Sequence, residues 1–252
     1  RCLEINNLII NADDLGLSES VNDAIIYCLK NEYIDRATLM VNMPGTQDAI
    51  NKIISNSLQD KIGLHINLTE GRPLTTKIIN TEFCEDGLMT GKIFKTNPMS
   101  KVFLSKSYRV AVIEEIQAQI DFFKRCNFSE NLHADTHQHI HMKPSIFGLL
   151  IPILKHNSFN SMRILINIPK NGDICMFKSV FRFFMNKIIF WNHLSNVYEA
   201  GGVAAFNKHY RINNKRIKKL TETWTHPDYE GNTIVDKYYE KNIIELLSDW
   251  RN

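Results

Sequence analysis

Short aliphatic runs alternate with amphipathic stretches along most of the chain. The run "NLIIN" (7–11) is a compact aliphatic block, the pattern of a strand buried on both faces. Ser18 then caps a predicted helix in which Val21, Ala24, Ile25, Cys28 and Leu29 recur at helical spacing. "ATLMVNM" (37–43) reads as a second strand, 45–56 as a helix and "KIGLHINL" (61–68) as a third strand. An irregular insertion (71–107) follows, punctuated by Gly71, Pro73, Gly87, Gly91 and Pro98. Residues 110–125 predict a strong helix with Ile113, Ile116, Ile120 and Phe123 on one face. "NLHADTH" (131–137) is the next strand, and Pro144 opens the helix after it, in which Pro152 predicts a kink or an early end. "MRILINI" (162–168) is another strand, and 236–250 a closing helix. Strand and helix in alternation predict an α/β fold with parallel strands and right-handed crossovers, doubly wound or closed into a barrel. No repeat, low-complexity tract or linker divides the chain, so one domain over 1–252 is expected.

Composition narrows the class. At 252 residues, 44% hydrophobic and 23% charged, the chain can bury a core without disulfides or metal staples. A net charge of +3 gives no electrostatic case for a nucleic-acid partner, and the run Lys215-Arg216-Ile217-Lys218-Lys219 reads as a solvated face. Five cysteines, widely spaced and without a C-x-x-C pair, support neither a disulfide framework nor a zinc knuckle. That cysteine usage makes a reducing, cytoplasmic setting the expectation, and no charged-then-apolar segment opens the sequence as given. The most membrane-like stretch, "FKSVFRFFMNKIIFWNHL" (177–194), is interrupted by Lys178, Arg182 and Lys187 and cannot span a bilayer. Its aromatics suit a lipid surface or a second subunit, as in a homodimer, but a buried or partner-facing helix is the expectation.

Several of these strands end in chemistry. In parallel α/β folds reactive groups gather at the carboxyl edge of the sheet. The first strand runs into "NADDLG", and because Ser18 already supplies the helix cap, the pair Asp13–Asp14 has no evident structural task. In the third strand His65 shares its face with Gly63 and Asn67 rather than with aliphatics, which suggests a cavity. "HADTHQHIH" (133–141) holds four of the nine histidines. If extended, it projects His133, Asp135 and His137 to one face, and an aspartate with two histidines suits a hydrolytic divalent-metal site. Spacing alone does not choose His137 over His139. His226, in "WTHPDY", follows a further strand and is weak evidence by itself.

"NADDLG", "GLHINLTEG", "HADTHQHIH" and "THP", in that order across residues 11–227, closely resemble the motifs of the YdjC/ChbG family of carbohydrate deacetylases. The resemblance implies a (β/α) barrel-like deacetylase fold. It implies one divalent metal ion, Mg²⁺ or Zn²⁺, on Asp14, His65 and His137, with Asp13 as catalytic base and His226 as acid. His133, Asp135, His139 and His141 would orient ligands or line the sugar site. Leu15, Thr136 and Gln138 depart from that family's usual Phe, Ser and His, and none removes a matched residue. Arg163, on an inward-facing barrel strand, is a candidate to orient Asp13 or touch substrate, and Glu70 a weaker substrate-side candidate. The expected activity is removal of acetate from an N-acetylated oligosaccharide, with N,N'-diacetylchitobiose as leading substrate. The alternatives are another metallohydrolase, a non-catalytic metal- or sugar-binding module, and a deacetylase of a lipid-linked, hopanoid-type sugar.

Overall fold

The computed structural model describes residues 7–128, 130, 132–168, 176–212, 215–248 and 250. Seven strands form one parallel sheet: Leu8–Leu15 (β1), Arg36–Leu39 (β2), Ile62–Ile66 (β3), His133–Thr136 (β6), Ser161–Met162 (β7), Glu199–Gly202 (β8) and Thr221–Thr225 (β9). Their order is β7-β6-β3-β2-β1-β9-β8, and every pairing is parallel. Among the described residues the two edges do not form a ladder with each other. The sheet nevertheless curls until the chain after β7 meets β8, where the Asn167 and Ile168 amides both donate to the Ala200 carbonyl at 3.1 Å. Gly201 permits this approach, since a Cβ there would lie 2.8 Å from the Ile168 Cβ. Of the two arrangements the alternation allows, the architecture is the barrel-like one that the family resemblance implies.

Helices Glu19–Lys30 (α1), Thr46–Ser55 (α2), Lys106–Arg125 (α5) and Pro144–His156 (α6) join the strands. Ser18 does cap α1, its hydroxyl accepting the Val21 amide at 3.3 Å, and Cys28 is fully buried in the core. In α5 the buried face is Val112, Ile116, Ile120 and Phe123, whereas Ile113 is 37% exposed and belongs to the outer face. α6 does not stop at Pro152; Leu150, Ile151 and Leu154, buried on either side of it, keep the helix docked to His156. The irregular insertion holds short elements: Thr76–Ile79 (α3), the ribbon Cys84–Glu85 (β4) with Leu88–Met89 (β5), and Ile93–Thr96 (α4).

Other expectations are corrected. "MRILINI" pairs regularly only through Ser161–Met162, and beyond it the chain bonds singly to its two neighbours. The closing helix is reduced to Ile243–Ser248 (α9), because Pro227–Glu230 (β10), Thr233–Asp236 (β11) and Lys241–Asn242 (β12) form a small antiparallel sheet, while Val203–Asn207 (α8) follows β8. The stretch 177–194 forms the helix Met176–Trp191 (α7). It is not buried as a whole: Phe177, Phe184 and Trp191 are exposed, and only Asn186 and Ile189 are fully covered. Cys28, Cys84 and Cys126 are free thiols; Cys2 and Cys175 lie outside the described residues.

Candidate metal and catalytic centre

Strand β1 continues past Asn11 to Leu15, so the acid pair lies within the strand rather than after it. Regular pleating would send Asp13 and Asp14 to opposite faces. Between Ala12 and Leu15, however, the register against β2 slips, and Asp14 adopts φ 67°, the left-handed region that Asp tolerates. This bulge turns both carboxylates into one cavity of about 500 Å³, which His65, His137, Gln138, His139 and His226 also line. The cavity stands at the carboxyl ends of the strands, as parallel α/β folds dictate.

Asp14, His65 and His137 converge. Asp14 Oδ1 lies 2.8 Å from His137 Nδ1 and 3.3 Å from His65 Nε2, and all three residues are buried. Behind His65, Asp135 Oδ1 meets Nδ1 at 2.5 Å, with Thr38 and Arg163 holding the other carboxylate oxygen. A carboxylate behind an imidazole fixes its tautomer and leaves Nε2 free to ligate, the usual support of a metal-binding histidine. Burial, the largest single influence, would lower the His65 pKa, but the charge and hydrogen bond of Asp135, with Asp14 and Asp13, together outweigh it and push the imidazole up to about 10. His137 is likewise raised against burial, by its bonds to Asp14 and Glu70. The cluster therefore calls for positive charge, from protons or from a cation, and its N,N,O donor set fits a divalent ion.

Two neighbouring groups also bring ligand atoms together, Asp13–His65–Asp135 and His133–Asp135–Glu222. Both fit a cation less well, because Arg163 already occupies oxygens of Asp13, Asp135 and Glu222 in ion pairs. Its Nη1 and Nη2 each donate to Asp13 at 2.7 Å, and Nε donates to Glu222 at 2.7 Å. Arg36 reaches the other oxygen of Glu222 at 2.9 Å and also donates to Asn11, whose amide donates to Asp13. Burial would raise the Asp13 carboxyl, yet the Arg163 guanidinium holds it far below the ordinary carboxylate range. Arg163 has no exposed surface, packs on Trp224 and holds both oxygens of Asp13.

The remaining expected residues divide. His226 Nε2 lies 3.9 Å from Asp13 Oδ2, across the cavity mouth. Glu70 is not a purely solvated acid: its Oε1 comes within 3.2 Å of His137 Nε2 and accepts from Gln138. His139 lines the cavity edge-on to Trp224, at 4.8 Å. His133 and His141 do not line it. His133 sits at the start of β6 and bonds Ser161, and His141 is locked against the Thr136 hydroxyl. The path from His137 to His141 is set by left-handed residues Gln138 and His139, which strand alternation does not anticipate.

Sequence reading missed Thr38, Arg36, Glu222 and Asp236. Glu222 had a legible signal, an acid sharing a strand face with Trp224 in "TETWT". Asp236 is buried on β11, accepts the His226 amide at 2.9 Å and the Thr225 hydroxyl at 2.6 Å, and lies 3.9 Å from His226 Nδ1. Tyr238 sets its ring edge-on to His226 at 4.4 Å.

A carbohydrate deacetylase of Clostridium beijerinckii is 32% identical over 154 residues, covering 60% of this chain and 57% of that protein. One from Vibrio cholerae is 32% identical over 150 residues, covering 59% and 55%. The matches thus span little more than half the length of these relatives. A solved structure from Enterococcus faecalis V583, described as a proposed cellobiose-phosphate cleavage protein, superposes with a TM-score of 0.64 at 17% identity, covering 94% of this chain and 83% of its own; that likeness concerns the fold. The family model for YdjC-like proteins matches residues 7–251, and the chain therefore belongs to the YdjC-like family.

Proposed function

We propose that this chain is a metal-dependent carbohydrate N-deacetylase, with a chitooligosaccharide such as N,N'-diacetylchitobiose as leading substrate. The observation that carries the proposal is the placement of Asp13. It is a buried, ionised carboxylate beside the Asp14–His65–His137 cluster, taken up by Arg163 and facing His226 across the cavity. A site that only bound metal or sugar would have no need of a second acid held in this way. The names of the curated relatives support the same reading.

A secondary amide resists hydrolysis because its carbonyl is a poor electrophile and its amine a poor leaving group. A divalent ion held by Asp14, His65 and His137 supplies Lewis acidity to the carbonyl and lowers the pKa of water. Asp13, kept ionised and oriented by Arg163, takes the proton from the attacking water. His226 donates a proton to the departing amine, a step worth roughly 10²–10⁴-fold. Tyr238 and Tyr239 line the cavity and supply aromatic surface for a sugar ring. Asp236 anchors the backbone that presents His226. Asp236→Asn is expected to lower kcat about tenfold or more with KM little changed, and an unchanged kcat would remove it from this role.

The test is acetate release from N,N'-diacetylchitobiose by metal-stripped protein, before and after addition of Zn²⁺, Mg²⁺, Mn²⁺ or Co²⁺. Release restored by one ion is the expected outcome. No release with any ion, from folded and metal-loaded protein, would overturn this substrate.

A further inference from the structure

Helix α7 carries large apolar side chains almost all round, the composition of a helix covered on every side. One side is covered. Asn186 bonds both the amide and the carbonyl of Leu165, and Arg182 donates to the Ile166 carbonyl. The other side is bare. Met176, Phe177, Val180, Phe183, Phe184 and Trp191 are exposed, and at 3.6 residues per turn they fall within an arc of about 120°. Lys187 lies in the same arc, its ammonium 5.4 Å from the Phe183 ring, in the manner of a cation snorkelling over an apolar surface.

Charge on this helix and on the segment 208–219 has one sign. α7 contains Lys178, Arg182 and Lys187 and no acid. The segment 208–219 contains six cations, Lys208, Arg211, Lys215, Arg216, Lys218 and Lys219, again with no acid. The two are physically joined. Phe190 of α7 stacks on Tyr198 with centroids 5.6 Å apart, and the Tyr198 amide donates to the carbonyl of Leu220, the residue after Lys219. Lys215, Arg216, Lys218 and Lys219 are themselves exposed.

We propose that the bare face of α7 and the adjoining basic segment form a docking surface for an anionic lipid bilayer. Phenylalanine and tryptophan side chains on one arc of a helix insert at the headgroup–acyl boundary, and lysines beside them meet anionic headgroups. Among the described residues no helix is long and apolar enough to cross a membrane, so the contact is interfacial. A second copy of the chain fits less well: a two-fold contact sets each surface against itself and brings like charges together. The covered side of α7 holds the Leu165–Ile166 backbone, and Ile166 lines the candidate catalytic cavity, so the docking helix and the cavity wall are directly connected. The inference is independent of the proposed catalytic chemistry.

The test uses the full chain with vesicles of equal parts phosphatidylglycerol and phosphatidylcholine, against phosphatidylcholine alone. Trp191 is a built-in reporter, being 77% exposed while Trp224 and Trp250 are 4% and 8% exposed. Sedimentation with the anionic vesicles and a blue shift of tryptophan emission are expected, both lost at high salt. Phe177→Ser with Phe184→Ser should weaken binding at least about tenfold at unchanged melting temperature, since both side chains are exposed. Lys218→Glu with Lys219→Glu should abolish the preference for anionic vesicles. Wild-type protein that ignores both vesicles, or double variants that bind as wild type does, would overturn the proposal. So would a dimer in light scattering that the phenylalanine variant dissociates.

Discussion

Arg163→Met is expected to cost about 3–5 kcal/mol of stability or more, a large part of the total of a typical domain, about 5–15 kcal/mol. The guanidinium has no exposed surface and satisfies Asp13, Asp135 and Glu222 together. Methionine keeps the apolar stem against Trp224 but leaves three buried carboxylates with only Arg36 and the histidines to balance them. The pH dependence should reverse with it. In the metal-free wild type the depressed Asp13 contributes stability above its ordinary value of 3.8, and that contribution is lost as pH falls towards its folded value. In the variant the crowded carboxylates gain protons more readily than in the unfolded chain, so acidification should stabilise it relative to neutral pH. Melting temperatures of both proteins from neutral to acid pH read this directly. A variant as stable as wild type would show that the carboxylates are satisfied without Arg163.

Asp13→Asn should reduce acetate release by about 10²–10⁴-fold while divalent-ion affinity changes little. Asn cannot accept the proton from water, yet it retains an oxygen for one bond from Arg163. Asp14, His65 and His137 keep their mutual geometry, because none of them bonds to Asp13. The substitution removes one of the charges balancing Arg163, so folding must be checked by melting temperature beside the kinetics. Turnover at wild-type level would dismiss Asp13 as the base.

Alternation by itself identified the inward face of β3 and so His65, because a strand with period two cannot hide a lone histidine among Gly and Asn. The same rule misplaces the acid pair. Asp13 and Asp14 reach one cavity only through the bulge in β1, and a bulge is decided by pairing with β2, a long-range contact that local sequence does not carry. The histidine-rich stretch was conspicuous, but crowding does not rank its members. Left-handed Gln138 and His139 turn His139 to the cavity and leave His141 against Thr136, while His133 is buried lower on the strand. Arg163 was legible as inward-facing, whereas its partner Glu222 lies 59 residues further on and its closeness follows from barrel closure. For α7, periodicity could not separate a buried helix from an exposed apolar one, since apolar residues occupy both arcs.

The location of the proposed ion bears most directly on the central claim, since three clusters among the described residues bring ligand atoms together. Crystals of the protein grown with Zn²⁺ and measured at the zinc absorption edge would give that location from anomalous scattering. A single peak within coordination distance of Asp14, His65 and His137 is the predicted result. A peak at His133, Asp135 and Glu222 instead, or none at the Asp14 cluster in crystals shown to contain zinc, would contradict it.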